Sequence, residues 1–331
     1  GYFIGGLLLI NLVSAHVYRF KMSWRKAGIF LTHIGLILLL IGELLSGILQ
    51  EDYSMRLMEG EPKNYSESFR DHELAIIDTS NSEYDEVVAI PDSLLAKGGA
   101  LSHPKLPFRI EVKEYYPNSD IKDHASAGAP AAGAESVARA SQGLGRNFVM
   151  MPLRMTYKMD ERNWPGAYVE LIGPDGSLGT WLVSALISMS PRMPIQTLEY
   201  KGRTYSIALR SSRAYKPFML TLLKFSNDLY AGTDIPKNYS SNIRLTTPDG
   251  SDSREVLIYM NNPLRYAGLT FYQASFEPGN DKVTILQVVR NPGWVLPYVA
   301  CSLMALGLIV QFCIHLGGFF RKRRAAAPAI A

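Results

Sequence analysis

Residues Lys26 to Leu49 read KAGIFLTHIGLILLLIGELLSGIL, and this stretch decides how the rest of the chain is read. At roughly 1.5 Å of rise per residue, some twenty apolar residues are enough to cross a bilayer core of about 30 Å. One histidine, His33, lies inside the run. An ionisable side chain in such a position is costly unless it is used or satisfied, so it is a functional candidate by default. At about 100° per residue the small residues Gly28, Thr32, Gly35, Gly42 and Ser46 gather on one stripe, which lets a second helix approach closely. His33 falls on another face, with Ile29, Ile37, Leu40 and Leu44. It lies roughly 9–10 Å from the start of the helix. It is therefore expected to point away from this chain's own helices, toward a partner that covers it. Glu43 near the far end reads as an interfacial acid.

Outward from this stretch, apolar runs occupy both ends of the chain and a polar middle separates them. Residues 1–18 read as a transmembrane helix whose N-terminal part is missing, residues 19–26 as a cytoplasmic loop and 27–49 as the span carrying His33. Residues 50–292 read as an extracytoplasmic β-rich domain with a flexible loop at 123–146, rich in Ala, Gly and Ser. Residues 293–316 read as the last span and 317–331 as a cytoplasmic basic tail. Arg19, Lys21, Arg25 and Lys26 flank one span and Arg321–Arg324 another, and basic residues mark the cytoplasmic side. The net charge of +4 is modest and clusters at these membrane ends, which argues against nucleic acid as a partner. The expected class is a membrane protein of three transmembrane helices, three or four in the full-length protein, plus a large antiparallel all-β domain.

Within the polar middle, short alternating or β-branched runs predict strands at 74–78, 86–90, 108–116, 153–157, 168–172, 179–183, 204–209, 218–225, 243–247, 255–260, 270–276 and 282–289. Turn signals at Pro174–Gly176, Lys201-Gly202 and Pro248–Gly250 separate them, which points to a sandwich or barrel. Ser184–Pro194 reads as a bend. A weak repeat relates the segments beginning at Pro107-Phe108 and Pro217-Phe218. The two cysteines, Cys301 and Cys313, both fall in the C-terminal apolar run and read as helix-packing residues. That leaves the outer domain without a thiol, and the chain has no CxxC or CxxCH motif. His72, His103 and His124 are scattered in polar segments without metal-ligand spacing. His16 and His315 read as interfacial residues near the basic ends of their helices. No nucleophile–base pairing is visible, so no catalytic residue is assigned.

Several segments together resemble a known family. They are Ala27–Gly35 with its histidine, Met58–Glu61, Phe225–Tyr230, Pro236–Ser241, Asn261–Gln273 and Asn291-Pro292-Gly293 just before the last span. The chain is similar to the ResB/CcsB family of cytochrome c biogenesis proteins, subunits of the System II cytochrome c synthase. The resemblance implies a multi-pass protein of the bacterial cytoplasmic membrane with its large domain on the periplasmic side. It implies a multispan partner of the ResC/CcsA type, sometimes fused to it, with which haem b is moved outward and attached to CxxCH apocytochrome c. A thioredoxin-like thiol reductant is a further implied partner. By motif, His33 maps to the histidine that ligates haem iron axially, the second ligand coming from the partner. The tryptophan-rich haem-handling motif of the partner does not occur here, so the chain is not expected to act as a synthase alone. The competing reading, from the residues without the resemblance, is a membrane-anchored β-domain serving as a protein-binding scaffold without cofactor.

Overall fold

A computed structural model of the chain describes residues 2–18, 23–123, 140–158, 161–190, 192–230, 232, 236–277 and 279–326. In chain order these form helices α1 (Tyr2–Tyr18) and α2 (Ala27–Leu49), strands β1 (Glu51–Met58), β2 (Pro62–Asp78) and β3 (Glu86–Pro91), and the short helix α3 (Asp92–Leu95). Strands β4 (Gly99–Leu101), β5 (Arg109–Tyr116), β6 (Ser119–Asp123), β7 (Phe148–Pro152), β8 (Gly166–Gly173) and β9 (Gly176–Ser184) follow, then helix α4 (Ala185–Met189). Strands β10 (Gln196–Tyr200), β11 (Arg203–Leu229), β12 (Pro236–Thr246), β13 (Ser253–Tyr259), β14 (Leu264–Tyr266), β15 (Leu269–Phe276) and β16 (Val283–Arg290) lead to helix α5 (Leu296–Ala326). The helices α2 and α5 lie in segments long and apolar enough to cross a membrane. The third expected span, α1, is apolar but shorter, at 17 residues. The expected flexible loop at 123–146 falls largely outside the described residues, as do residues 19–22 of the expected cytoplasmic loop and His124.

Contacts divide the chain into two units. One holds Tyr53–Thr221 and Arg244–Arg254 and is a β-sandwich. In it, β2 pairs antiparallel with β1, β3 and β11, and β10 pairs with β11. A second sheet runs β4-β5-β8-β9. Side chains at every second position point inward, as strand geometry requires. Leu74, Ile76, Val88, Ile90, Ile207 and Leu209 of the first sheet meet Ile110, Val112, Val169, Leu171 and Val183 of the second in one buried core. The antiparallel all-β class expected from the alternating runs is thus present. Hairpin chemistry fits: Tyr200 faces Arg203 across a two-residue loop whose Lys201 and Gly202 have φ of 53° and 74°. Those left-handed values match the right-handed twist of the flanking strands.

Three expectations change. The run at 153–157 is not a strand. Its Leu153, Met155 and Tyr157 are exposed, and the segment is held as a loop by Asn118, whose Nδ2 donates to the Arg154 carbonyl at 2.7 Å, and by Asn163, which exchanges hydrogen bonds with the Thr156 backbone at 2.9 Å. The runs at 204–209 and 218–225 belong to one 27-residue strand, β11. Its pairing with β2 shifts register between Tyr215 and Leu220, around Pro217. Proline cannot donate to the ladder, and the irregularity accommodates it. The bend expected at 184–194 contains α4, capped by the Ser184 hydroxyl accepting from Leu186 N–H at 3.2 Å.

The other unit holds Gly1–Asp52, Leu222–Ile243 and Glu255–Ala331. Its centre is the antiparallel pair α2–α5. Gly28, Gly35 and Gly42 are buried and face α5: Gly28 sits against Gly307 and Gln311, Gly35 against Ala300 and Met304, Gly42 against Leu296. The small-residue stripe is therefore the packing seam, as its spacing suggests. Gln311 closes one end: its Oε1 accepts from Ile29 N–H at 3.3 Å and its Nε2 donates to the Arg25 carbonyl at 3.2 Å. This satisfies a backbone donor left open at the start of α2. At the other end Asn291 exchanges hydrogen bonds with Ser46 at 3.1 and 3.3 Å and accepts from Gly293 N–H at 2.8 Å. The pairing places Arg25 and Lys26 at the same end as the basic residues Arg321–Arg324, which continue α5 as helix. Cys301 and Cys313, read as helix-packing residues, are both exposed on α5.

Candidate functional site

His33 stands in the second turn of α2 and is half-buried. It does not point away from the chain's own helices, as its angular position suggests. It meets His16 of α1, with ring centroids 4.8 Å apart and planes at 78°. His33 Nδ1 lies 3.3 Å from His16 Nε2. The other nitrogen of His16, Nδ1, lies 3.1 Å from the Leu12 carbonyl one turn back on α1. Phe30 lies beside His16 at 6.0 Å between ring centroids. Two nitrogens in direct hydrogen-bond contact leave no room for a metal between them, so these two rings do not sandwich an iron. Among the described residues, no side chain or backbone group bonds His33 Nε2. A neutral imidazole with one nitrogen tied and the other carrying a free lone pair fits a single axial position on haem iron. The face of α2 that carries His33 also carries Ile29, Leu36 and Leu44, each more than a third exposed.

The neighbouring histidine is what sequence reasoning missed. His16 was assigned to the interface, and nothing in the apolar α1 marks which of its faces meets α2. His315 is exposed on α5, and Glu43 is exposed on α2. In the β unit, His72 is buried, its Nδ1 donating to the Arg70 carbonyl at 3.1 Å and lying 3.9 Å from the Asp92 carboxylate. Burial pushes its pKa down, outweighing the upward pull of Asp92. His103 lies in the loop before β5 and accepts from Lys105 N–H.

The marked segments around Ser241 and Asn261–Gln273 belong to the helix-bearing unit. Asn261–Gln273 forms the hairpin β14–β15, with Tyr266 facing Leu269 across Ala267 and Gly268 at φ of 49° and 76°. Gln273 joins Ser241 and Thr284 in a closed ring of hydrogen bonds at 2.7 to 2.9 Å. Ser241 and Thr284 are fully buried, and each finds its partner in this ring. Beside the hairpin opens a cavity of about 680 Å³, lined by Gln50, Arg265, Tyr266, Thr270, Trp294 and Tyr298. The Arg265 guanidinium stacks over Trp294 at 4.9 Å. Gln50 follows the last turn of α2, about 25 Å along the helix from His33, so this cavity and the histidine pair are separate features.

Comparison with known proteins places residues 177–285 in the match of a family model described as the ResB-like family. The chain is also similar to Protein NrfI of Wolinella succinogenes, with 37% identity over 93 residues. That match covers 28% of this chain and 10% of the Wolinella protein.

Proposed function

We propose, from the premise that this chain belongs to the ResB-like family, that it is a membrane subunit of cytochrome c biogenesis that handles haem through His33. The observation that carries the reading is the His33 imidazole, set in an apolar helix with Nε2 unpartnered and with an open apolar face around it. Haem is cargo here. Its iron accepts an axial nitrogen, and the macrocycle and its periphery need apolar cover of the kind Ile29, Leu36 and Leu44 offer. The residues of this chain supply one axial nitrogen only. The second belongs, on this reading, to a multispan partner of the ResC/CcsA type that docks on the same face of α2 and shares the haem b. The complex then supports attachment to the CxxCH motif of apocytochrome c. The outer domain lacks thiols, so a separate thioredoxin-like protein keeps that motif reduced.

The same reading sets the orientation. Arg25 and Lys26 lie at the same end of the α2–α5 pair as Arg321–Arg324, and an excess of Lys and Arg favours the cytoplasm. The strands between Glu51 and Arg290 then lie on the periplasmic side of the cytoplasmic membrane. The test is maturation of a reporter cytochrome c in cells that depend on this gene. His33→Ala is expected to abolish holocytochrome while the protein still accumulates in the membrane. Full maturation in that variant would instead favour a scaffold without cofactor.

A further inference from the structure

The histidine pair carries a second assignment, which rests on the haem reading of His33. The Leu12 carbonyl can only accept a hydrogen bond, so the His16 nitrogen facing it, Nδ1, carries a hydrogen. In a neutral imidazole the other nitrogen, Nε2, is then an acceptor. It faces His33 Nδ1 at 3.3 Å, which must be the donor. A neutral His33 with its hydrogen on Nδ1 has its lone pair on Nε2, the nitrogen without a partner among the described residues. The chain Leu12 C=O, His16, His33 therefore fixes both tautomers. An apolar helix pair favours this neutral arrangement over one carrying an imidazolium.

We propose that His16 is the positioning residue for haem ligation by this chain. It accepts the Nδ1 hydrogen of His33, holds the ring at one orientation and makes Nε2 the nitrogen that meets iron. Metal-bound histidines as a rule donate their second N–H to a neighbouring acceptor, which fixes the tautomer and raises the basicity of the ligating nitrogen. In soluble proteins that acceptor is commonly a carboxylate or a carbonyl. A carboxylate is poorly suited to an apolar helix. A second imidazole, itself anchored to a carbonyl one turn away, does the same work without a charge. His16 thereby couples α1 to the site: a shift of that helix relative to α2 changes the orientation and strength of the ligand.

The test uses the full-length protein purified in detergent and titrated with hemin, with the affinity and the haem midpoint potential as readouts. His16→Phe keeps an aromatic ring of similar size in an apolar helix but removes the acceptor. It is expected to weaken hemin binding by about 10–100-fold, the usual effect of deleting such a supporting group. It should also raise the midpoint potential, because a less basic imidazole stabilises ferric iron less. His16→Gln, whose Oε1 can accept the Nδ1 hydrogen, should recover most of both. Wild-type affinity and potential in His16→Phe would overturn the assignment. So would a loss in His16→Phe as complete as in His33→Ala with no recovery in His16→Gln, since His16 would then be a ligand. Retention of hemin by His33→Ala would overturn the haem reading itself, whatever His16 does.

Discussion

A methyl group at Gly35 should drive α2 and α5 apart. An ideal Cβ there stands 2.6 Å from Met304 Cγ, 2.8 Å from the Ala300 carbonyl oxygen and 3.0 Å from the Met304 backbone nitrogen. Non-bonded heavy atoms are comfortable at about 3.5–4.0 Å. Two of the three neighbours are backbone atoms, so no rotamer change relieves the clash, and α5 must retreat by roughly 1 Å over the contact. A gap of that size forfeits between about a quarter and a half of the dispersion attraction of each pair along the seam. Overpacking of this kind costs about 1–3 kcal/mol. Between helices in lipid no hydrophobic term offsets it. Alanine's better helix propensity returns about 1 kcal/mol at most. Gly317→Ala in α5 is the control, because nothing lies within 4 Å of a Cβ there. Thermal stability of the detergent-solubilised chain, read by size exclusion after heating, should fall for Gly35→Ala and hold or rise for Gly317→Ala. Equal midpoints for Gly35→Ala and wild type would refute the close helix contact.

Three further outcomes follow from the β unit and the topology. Glu73 and Arg210 form an ion pair at 2.9 Å with side chains only 8% and 11% exposed, so Glu73→Ala, which strands a buried guanidinium, should cost about 3–5 kcal/mol; unchanged thermal unfolding of the full chain by near-UV circular dichroism would count against this burial. Burial makes His72 hold a proton less tightly in the folded protein than in the unfolded chain, where it titrates near pH 6.5, so as pH falls through that range the unfolded state binds more protons. The contribution is full above about pH 6.5 and is lost as pH falls, and His72→Gln should flatten the decline in thermal midpoint between about pH 7 and 5; an identical decline in the variant would assign the acid sensitivity elsewhere. Alkaline phosphatase fused after Gly250, in the turn between β12 and β13, should be active, and activity from a cytoplasmic reporter at that site would invert the proposed orientation.

Much of the fold was legible because its signals are periodic. The glycine spacing of α2 announced the seam with α5, and alternation announced the sandwich strands carrying Ile76, Ile110, Val169 and Ile207. Where the sequence misled, a local rule met a tertiary one. The runs at 204–209 and 218–225 read as two strands, yet a register shift lets β11 run through Pro217. Leu153, Met155 and Tyr157 alternate like a strand, but Asn118 and Asn163 hold that segment as a loop. The site was half visible: a histidine inside a long apolar run stands out in α2, whereas its partner His16 does not. Alpha-helical α1 is apolar almost all round, so its sequence does not say which side meets α2. The glycine that completes the seam from α5, Gly307, was likewise unreadable without knowing which face of α5 turns inward.

The most direct measurement is the haem spectrum of the full-length protein purified together with the proposed multispan partner. Wild type should carry haem b with the spectrum of two axial nitrogen ligands. His33→Ala should lose it, and imidazole added during purification should restore it by filling the vacated axial position. A His33→Ala complex that keeps the wild-type haem content and spectrum without imidazole would contradict the role of His33.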